Sequence, residues 1–269
     1  MFETKLDTMA DTGHAGIGDD ARAAPARVRT TLFAVAREFA GHRDHWLFMA
    51  LFLASAGWLL ATGPAALDLA WLVLGWIVFM PQEYFTHVYV LHCPLPRSGR
   101  VYLWLYRLHY GHHDFPKRDD LMYMPLWLTI PMMVGNLLLL WLITPDARAM
   151  ASAFCGTVSA YLVFEWAHLL CHVPYVPKSK MWRHARSQHL LHHFYDEKQW
   201  YAVTPGQDIF DRVMGSKPAR EKLPRSTTCR LLGLDPAHPW LAEARARFAT
   251  RSSGDASASR LWTGGDRHG

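Results

Sequence analysis

Residues 83–92 read EYFTHVYVLH and residues 165–172 read EWAHLLCH, and each stretch ends a long apolar run with a glutamate followed by two histidines. A His-x-x-His-His group follows each pair after the same step, in LHYGHH at residues 108–113 and in QHLLHH at residues 188–193. His92 and His172 are 80 positions apart, whereas His87 and His168 are 81 apart. A repeat of this length with ordered imidazoles predicts a duplicated metal-binding unit.

The apolar segments repeat together with the histidines. Trp46–Leu67 and Leu121–Pro145 carry no charged residue, and each is long enough to cross a bilayer because about 20 apolar residues suffice for a helix. A shorter apolar run follows each one after a turn, Leu69–Gln82 in the first half and Ala149–Phe164 in the second. We therefore expect an all-α integral membrane protein with four transmembrane helices, arranged as two hairpins, and a cytoplasmic helical cap that carries the histidines.

Charge predicts the orientation of these spans. Lysines and arginines precede the first span and follow the second and fourth, whereas the turns between paired spans offer only Arg148. Since basic loops stay in the cytoplasm, both termini and the histidines are expected there. The net charge of +5 is explained by loops that face lipid headgroups, so nucleic acid is not an expected partner. The alanine- and arginine-rich composition favours a bacterial inner membrane.

The chain divides by composition into four parts. Residues 1–40 are predicted to be a polar, disordered tail, and residues 41–216 form the four-span catalytic domain. Residues 217–250 are predicted to be a C-terminal cytoplasmic helical segment, and residues 251–269 a second disordered tail.

Ten of the sixteen histidines belong to the repeat and are predicted metal ligands. They are His87, His92, His109, His112, His113, His168, His172, His189, His192 and His193. The i, i+3, i+4 spacing places three imidazoles on one side of a helix, whereas the step from His87 to His92 requires a distortion, for which Pro81 and Pro94 give a reason.

The other histidines and two cysteines are kept out of the site. His14, His42, His45, His184, His238 and His268 are predicted surface or linker residues. Cys93 and Cys171 adjoin motif histidines, but free cysteine is usually buried as a small apolar residue.

Ligand count bears on the metal, because imidazole alone suits zinc, copper, iron and nickel. Ten histidines on two metals give five each, which leaves a sixth position open, whereas two tetrahedral zinc sites would use eight. We therefore expect two iron ions, with zinc able to replace iron in a purified sample.

Two glutamates are expected beside the ligands. Glu83 and Glu165 lie one turn before His87 and His168 and are predicted to hold the second ring nitrogens of the imidazoles. The alternative is that both glutamates are charged side chains at the level of the lipid headgroups and do not contact the imidazoles.

The complete order His87-x4-His92, His109-x2-His112-His113, His168-x3-His172, His189-x2-His192-His193 over four spans resembles the membrane fatty acid hydroxylase (sterol desaturase) superfamily. The resemblance covers roughly Trp46–Gly215. It implies a non-haem di-iron monooxygenase that hydroxylates a membrane lipid, most simply a fatty acyl chain, with O2 as co-substrate. The ten histidines would all be ligands, and His112, His113, His192 and His193 would act in catalysis through the metals.

Two features set this chain apart within that resemblance. Residues 199–202 read QWYA where members often have an asparagine-aromatic-glycine signature, which leaves the substrate open. No His-Pro-Gly-Gly of a cytochrome b5 domain occurs, so electrons are expected from a separate protein of the ferredoxin or cytochrome b5 type.

Other functions remain open from the residues alone. A lipid desaturase or a sterol or carotenoid oxidase would use the same ligands, and a non-catalytic metal- or haem-binding membrane protein would also carry histidines on helices. Haem fits poorly, because it has no use for adjacent pairs such as His112-His113. A zinc protease lacks its His-Glu-x-x-His.

Overall fold

The computed structural model describes residues 30–249, so the predicted tail at 251–269 and most of the tail at 1–40 lie outside it, with His14 and His268. The described residues are helical and contain no strand, which confirms the all-α class. The helices in chain order are α1 (Leu32–Gly41), α2 (Arg43–Ala61), α3 (Ala66–Phe85), α4 (Gly99–Leu105), α5 (Gly111–Asp114), α6 (Asp119–Met122), α7 (Leu126–Ile143), α8 (Ala147–His172), α9 (Lys180–Phe194), α10 (Asp208–Val213) and α11 (Pro239–Ala249). Two π-helical turns, Thr86–Leu91 and Tyr106–Tyr110, extend α3 and join α4 to α5.

Four segments are long and apolar enough to cross a membrane, as the sequence predicts. They are Arg43–Ala61, Ala66–Leu91, Asp119–Ile143 and Ala147–His172. Helix α8 lies at the centre, since α2, α3 and α7 all pack against it. The other three spans therefore assemble around α8.

The closest packing is between α3 and α8 and depends on two glycines. A Cβ atom at Gly75 would lie 1.9 Å from the Ala153 carbonyl oxygen, and one at Gly156 would lie 2.0 Å from that of Leu72. Small residues let the backbones of membrane helices approach in this way. The Thr157 hydroxyl also donates to the Gly75 carbonyl at 3.2 Å, so the contact includes a hydrogen bond between the helices.

Arg148 joins the two turns between spans. Its guanidinium donates to Asp68 at the start of α3, with Nε 2.8 Å from Oδ1, and to the Gly63 carbonyl at 2.6 Å. Both α3 and α8 run from this end of the bundle toward their histidines. All ten repeat histidines therefore lie at the opposite end from the turns.

The predicted boundaries need correction at both ends of the chain. Helix α1 begins inside the predicted tail at 1–40, where Thr31 caps its first turn and Val35 is fully buried. In residues 217–249, helix is confined to Arg220–Lys222 and α11, and irregular backbone connects them.

His45 is also not the surface residue that the sequence analysis expected. It is fully buried, and its Nδ1 donates to the Phe39 carbonyl at 2.8 Å. A buried imidazole needs such a partner, and the last turn of α1 supplies it.

Candidate metal centre

The ten repeat histidines come together as two groups of five. The first group is His87, His92, His109, His113 and His192, and the second is His112, His168, His172, His189 and His193. Within each group the five ligand nitrogens all lie within 4.8 Å of one another. Nine of the ten are buried, and His92 is partly buried. Sequence spacing thus identified residues that the fold brings together.

Each group takes four histidines from its own half of the chain and one from the other. His192 joins the first group and His112 the second. In a helix at 100° per residue, positions i and i+4 are 40° apart, whereas i+3 lies 60° to the other side. The middle histidine of each His-x-x-His-His therefore points toward the neighbouring group, which interlocks the two halves.

The distances between ring nitrogens indicate the coordination geometry. In the first group, Nε2 of His109 lies 3.1 Å from that of His87, 2.9 Å from that of His92 and 3.1 Å from that of His113. With metal–nitrogen bonds of about 2.1 Å, ligands at right angles are about 3.0 Å apart and tetrahedral ligands about 3.4 Å apart. The observed spacing fits octahedral positions.

The second group has the same spacing. Nε2 of His172 lies 3.1 Å from that of His112 and 2.9 Å from that of His189, and Nε2 of His168 lies 2.9 Å from that of His112. Both groups could therefore hold a metal ion with five imidazole ligands.

Burial keeps the ligand imidazoles neutral. Desolvation lowers the pKa of His113 to about 3. Desolvation, followed by the neighbouring imidazoles, also lowers well below 6.5 the pKa values of His112, His189, His192 and His193. Neutral imidazole is the form that binds a metal, so these histidines are already in the protonation state that metal binding requires.

Backbone carbonyls orient three rings of the first group. Nδ1 of His87 donates to the Tyr201 carbonyl at 2.6 Å, and Nδ1 of His192 donates to the Gln199 carbonyl at 2.8 Å. Nδ1 of His113 donates to the Cys229 carbonyl at 2.9 Å. Because a carbonyl only accepts, the proton is fixed on Nδ1 and the Nε2 lone pair faces the group.

Residues 199–204, which we call the strap, are themselves held by two buried carboxylates. Asp211 accepts from the Tyr201 and Ala202 amides, each at 2.9 Å. Glu83 Oε1 accepts from the amides of residues 203 and 204, each at 2.9 Å. Trp200 is buried with a φ of 53°, which turns the chain so that carbonyls on both sides of it reach imidazoles.

The expected role of the two glutamates as imidazole acceptors is wrong. Glu83 binds the strap, so it supports His87 only through the Tyr201 carbonyl. Glu165 Oε1 accepts from the Tyr161 hydroxyl at 2.9 Å and from the Met124 amide at 3.2 Å. The ring of His87 turns its Nδ1 toward the strap instead of back along α3, so Glu83 has no imidazole N–H to accept from. Sequence reasoning missed Asp211 and the three carbonyls as well.

The first π-turn explains the unequal histidine spacing. The His92 amide donates to the His87 carbonyl five residues earlier at 3.0 Å, so the turn absorbs one extra residue. In α8 the matching pair, His168 and His172, is four residues apart in a regular helix. The predicted distortion is confirmed, although neither Pro81 nor Pro94 lies within the π-turn.

An apolar cavity of about 40 Å³ adjoins the centre between α3, α7 and α8. His87 and His109 of the first group and His168 of the second all line it. Four methionines, Met122, Met124, Met132 and Met133, form much of the remaining wall. The cavity therefore gives apolar molecules a place beside both groups.

This chain is similar to known fatty acid hydroxylases. The family described as fatty acid hydroxylase matches residues 72–216, more than half of the chain. A dihydroceramide fatty acyl 2-hydroxylase, FAH2 of Arabidopsis thaliana, is 28% identical over 146 residues, which cover 54% of this chain and 58% of the relative. A fatty acid 2-hydroxylase of Rattus norvegicus is 22% identical over 142 residues, 52% of this chain and 38% of the relative.

The chain thus spans only about half the length, or less, of these curated relatives. A solved structure of full-length scs7p, in which only the hydroxylase domain is visible, superposes with a TM-score of 0.60 at 19% identity. The match covers 82% of this chain and 80% of the other. The two proteins share a fold.

Proposed function

Because the chain belongs to the fatty acid hydroxylase family, we propose that it is a membrane-bound hydroxylase that inserts one oxygen atom of O2 into a C–H bond of a lipid acyl chain. The observation that carries this proposal is the pair of buried five-histidine groups, in each of which all ligand nitrogens lie within 4.8 Å of one another. Two iron ions are the metals we propose. Iron bound there would supply the redox chemistry that activates O2, which zinc lacks.

The protein's own residues position the ligands and keep water away. The carbonyls of Gln199, Tyr201 and Cys229 fix ring orientation in the first group. Nearly complete burial of both groups excludes solvent from the reacting centre. His112, His113, His192 and His193 would act in catalysis only through the metals, since one nitrogen of each ring would be taken up by ligation.

The apolar cavity supports an acyl substrate. Since it touches histidines of both groups, a chain lying in it would present a methylene to the metals while its tail stays in hydrocarbon. The volume of about 40 Å³ requires its methionines to move when a chain enters, and unbranched thioethers do this readily. Both curated relatives are named 2-hydroxylases, so we propose the carbon next to the acyl carbonyl as the position oxidised.

Electrons and location complete the proposal. We propose that a separate ferredoxin or cytochrome b5 type protein supplies the electrons. We further propose that the chain is a multi-pass protein, in a bacterial inner membrane, whose termini and histidine end face the cytoplasm. The basic residues concentrated at the histidine end support this orientation.

Expression in a host without the activity, followed by mass spectrometry of total lipids, tests the function. We expect lipids that gain one oxygen atom, and we expect His112→Ala and His192→Ala to abolish this product. His184→Ala is the matched control, because His184 is exposed and outside both groups. Unchanged product in the two ligand variants would contradict the proposal, and loss of two hydrogens instead of a gain of oxygen would indicate a desaturase.

Metal analysis of the purified chain is an independent check. We expect about two iron ions per chain, with zinc as the substitute in iron-poor medium. A Soret band or a metal content near zero in folded protein would overturn the di-iron proposal.

A further inference from the structure

A polar contact joins two spans inside the apolar part of the helix bundle. The side-chain amides of Gln82 on α3 and Asn136 on α7 hydrogen-bond to each other in both directions, and the Asn136 amide donates to Gln82 Oε1 at 3.0 Å. Asn136 is buried, and Gln82 lies in the wall of the apolar cavity beside the histidine groups. Neither residue belongs to a histidine group, so ligation does not explain the pair.

The pair lies on the membrane side of the ligands. Gln82 and Thr86 share one face of α3 at i and i+4, and both line the cavity. Asn136 follows the cavity residue Met133 by three positions on α7, so it continues the same face of that helix. Gln82 precedes His87 by five residues, which places the pair about 7 Å deeper in the span than this ligand.

The amide pair bridges the side of the cavity that has the weakest packing. The backbone contacts at Gly75 and Gly156 hold α3 against α8, and α7 also packs against α8. Within the described residues, α3 and α7 do not pack against each other along their lengths, so side chains close the cavity between them. Ile77 on α3 and Val134 on α7 are exposed apolar side chains, as expected of helix faces that contact lipid.

We propose that the Gln82–Asn136 pair closes the entrance through which a lipid acyl chain passes between α3 and α7 into the cavity, and that the two residues thereby position the chain beside the histidine groups. This inference rests on the proposed function, because it takes an acyl chain as the occupant. The cavity of about 40 Å³ is too small for such a chain, so one wall must part when the chain enters. The side between α3 and α7 parts without breaking a backbone contact.

The chemistry of the pair suits an entrance that opens and closes. Each amide is the hydrogen-bond partner of the other, so both are paired in the closed state, as amides in hydrocarbon require. A hydrogen bond between membrane helices nevertheless shifts an equilibrium by only about tenfold, so the open state remains accessible. The pair therefore favours the closed state without locking it.

Photolabelling of the purified full chain in lipid nanodiscs tests the entrance. The probe is a fatty acid that carries a diazirine in the middle of its chain. Peptide mass spectrometry measures the rate at which label appears on Met124 and Met133, which are buried and line the cavity. Labelling does not require turnover, and the iron content and hydroxylated product of each sample are measured alongside.

Three double variants change the entrance in different ways. Gln82→Ala/Asn136→Ala removes both amides, so neither is left without its partner. Gln82→Asn/Asn136→Gln exchanges the side chains and keeps the amide pair. Gln82→Cys/Asn136→Cys is bridged by a bifunctional methanethiosulfonate, which holds the two helices together until dithiothreitol cleaves it. Ile77→Ala/Val134→Ala, on the exposed faces of the same helices, is the matched control.

We expect about tenfold faster labelling in the alanine variant, and the rate of the parent chain in the exchanged variant and in the control. The bridged variant should lose labelling and regain it with dithiothreitol, whereas the single-cysteine variants treated with the same reagent keep it. Labelling of the bridged protein at the parent rate, or an alanine variant that labels no faster than the control, would overturn the entrance. A parent chain that takes up label and binds iron but forms no hydroxylated lipid would instead refute the activity and leave the entrance standing.

Discussion

His112 and His192 are the residues that make one centre out of two halves. Each is the middle histidine of its His-x-x-His-His, and each completes the group formed mainly by the other half. Loss of either one therefore removes a ligand from the opposite half of the duplication. Sequence neighbours such as His192 and His193 belong to different groups, whereas His113 and His192, far apart in the chain, share one.

Paired substitutions separate these two kinds of neighbour. We expect His192→Ala/His193→Ala to weaken both groups and leave close to zero metal, because each loses a ligand. His113→Ala/His192→Ala removes two ligands from the first group alone, so about one metal ion per chain should remain. The metal content of the two double variants, measured by mass spectrometry, tests this expectation. If both double variants lost the same amount, the exchange of ligands between halves would be refuted.

Glu83 acts on the centre through the strap. In Glu83→Ala, the buried amides of residues 203 and 204 lose their acceptor, which costs about 1–3 kcal/mol of stability for each unsatisfied group. The Tyr201 carbonyl should then drift from His87, and metal affinity should fall about 10–100-fold, as for other groups that orient ligands. A chelator competition measures the affinity. Glu243→Ala, on the exposed face of α11, is the control, and an affinity equal to that control would contradict this role.

Much of the site was predictable residue by residue, and the reason is chemical. Histidine spacing identifies every candidate ligand, because imidazole is rare enough for a repeat of it to be informative. The partition into groups depends on how two helices face each other, which spacing within one helix does not contain. The acceptors for Nδ1 are backbone carbonyls at Gln199, Tyr201 and Cys229, and a carbonyl has no signature in a sequence.

At the scale of elements, the first π-turn determines the ligand spacing within the first half of the chain, whereas the glycine contact determines the distance between α3 and α8. The π-turn brings His92 over His87 despite an extra residue, so the first half keeps ligand geometry equivalent to that of α8. The glycines at 75 and 156 set how closely α3 and α8 approach. Three of the ten histidines lie on these elements: His87 on the π-turn that extends α3, and His168 and His172 on α8. Helix packing thus sets the distance between the two ligand groups.

Gly156→Ala tests that packing. Its Cβ would lie 2.0 Å from the backbone oxygen of Leu72, so α3 and α8 must separate, and overpacking of this kind costs about 1–3 kcal/mol. We expect a lower thermal midpoint and a lower metal content.

Gly135→Ala on α7 is the matched control, because no atom lies within 4 Å of its added Cβ. Alanine also favours helix over glycine, so this control should unfold at the same or a higher temperature. Equal behaviour of the two variants would show that the close backbone contact does not limit stability.

For the whole molecule, hydropathy predicted the four spans and the turns between them, because a helix in lipid consists mainly of apolar residues. The central position of α8 is harder to recognise from the sequence. Its segment is 72% buried within the molecule against 17–22% for the other spans, yet its mean hydropathy of 1.3 lies within their range of 1.2–2.0. Protein and lipid surroundings select apolar residues alike, so composition does not tell a central helix from a peripheral one.

Orientation in the membrane is a proposal about the whole chain, and it depends on which end of the helix bundle carries the basic loops. Arg148 ties the two turns at one end through Asp68 and Gly63, and the histidines and most basic loops lie at the other. If basic loops stay in the cytoplasm, Ala65→Cys in the first turn should react with a membrane-impermeant thiol reagent on intact cells. Lys178→Cys at the histidine end should react only after permeabilisation, with the parent chain reporting the background from Cys93. The reverse pattern would place the centre outside the cell, away from cytoplasmic electron donors, and would contradict both the orientation and the proposed electron supply.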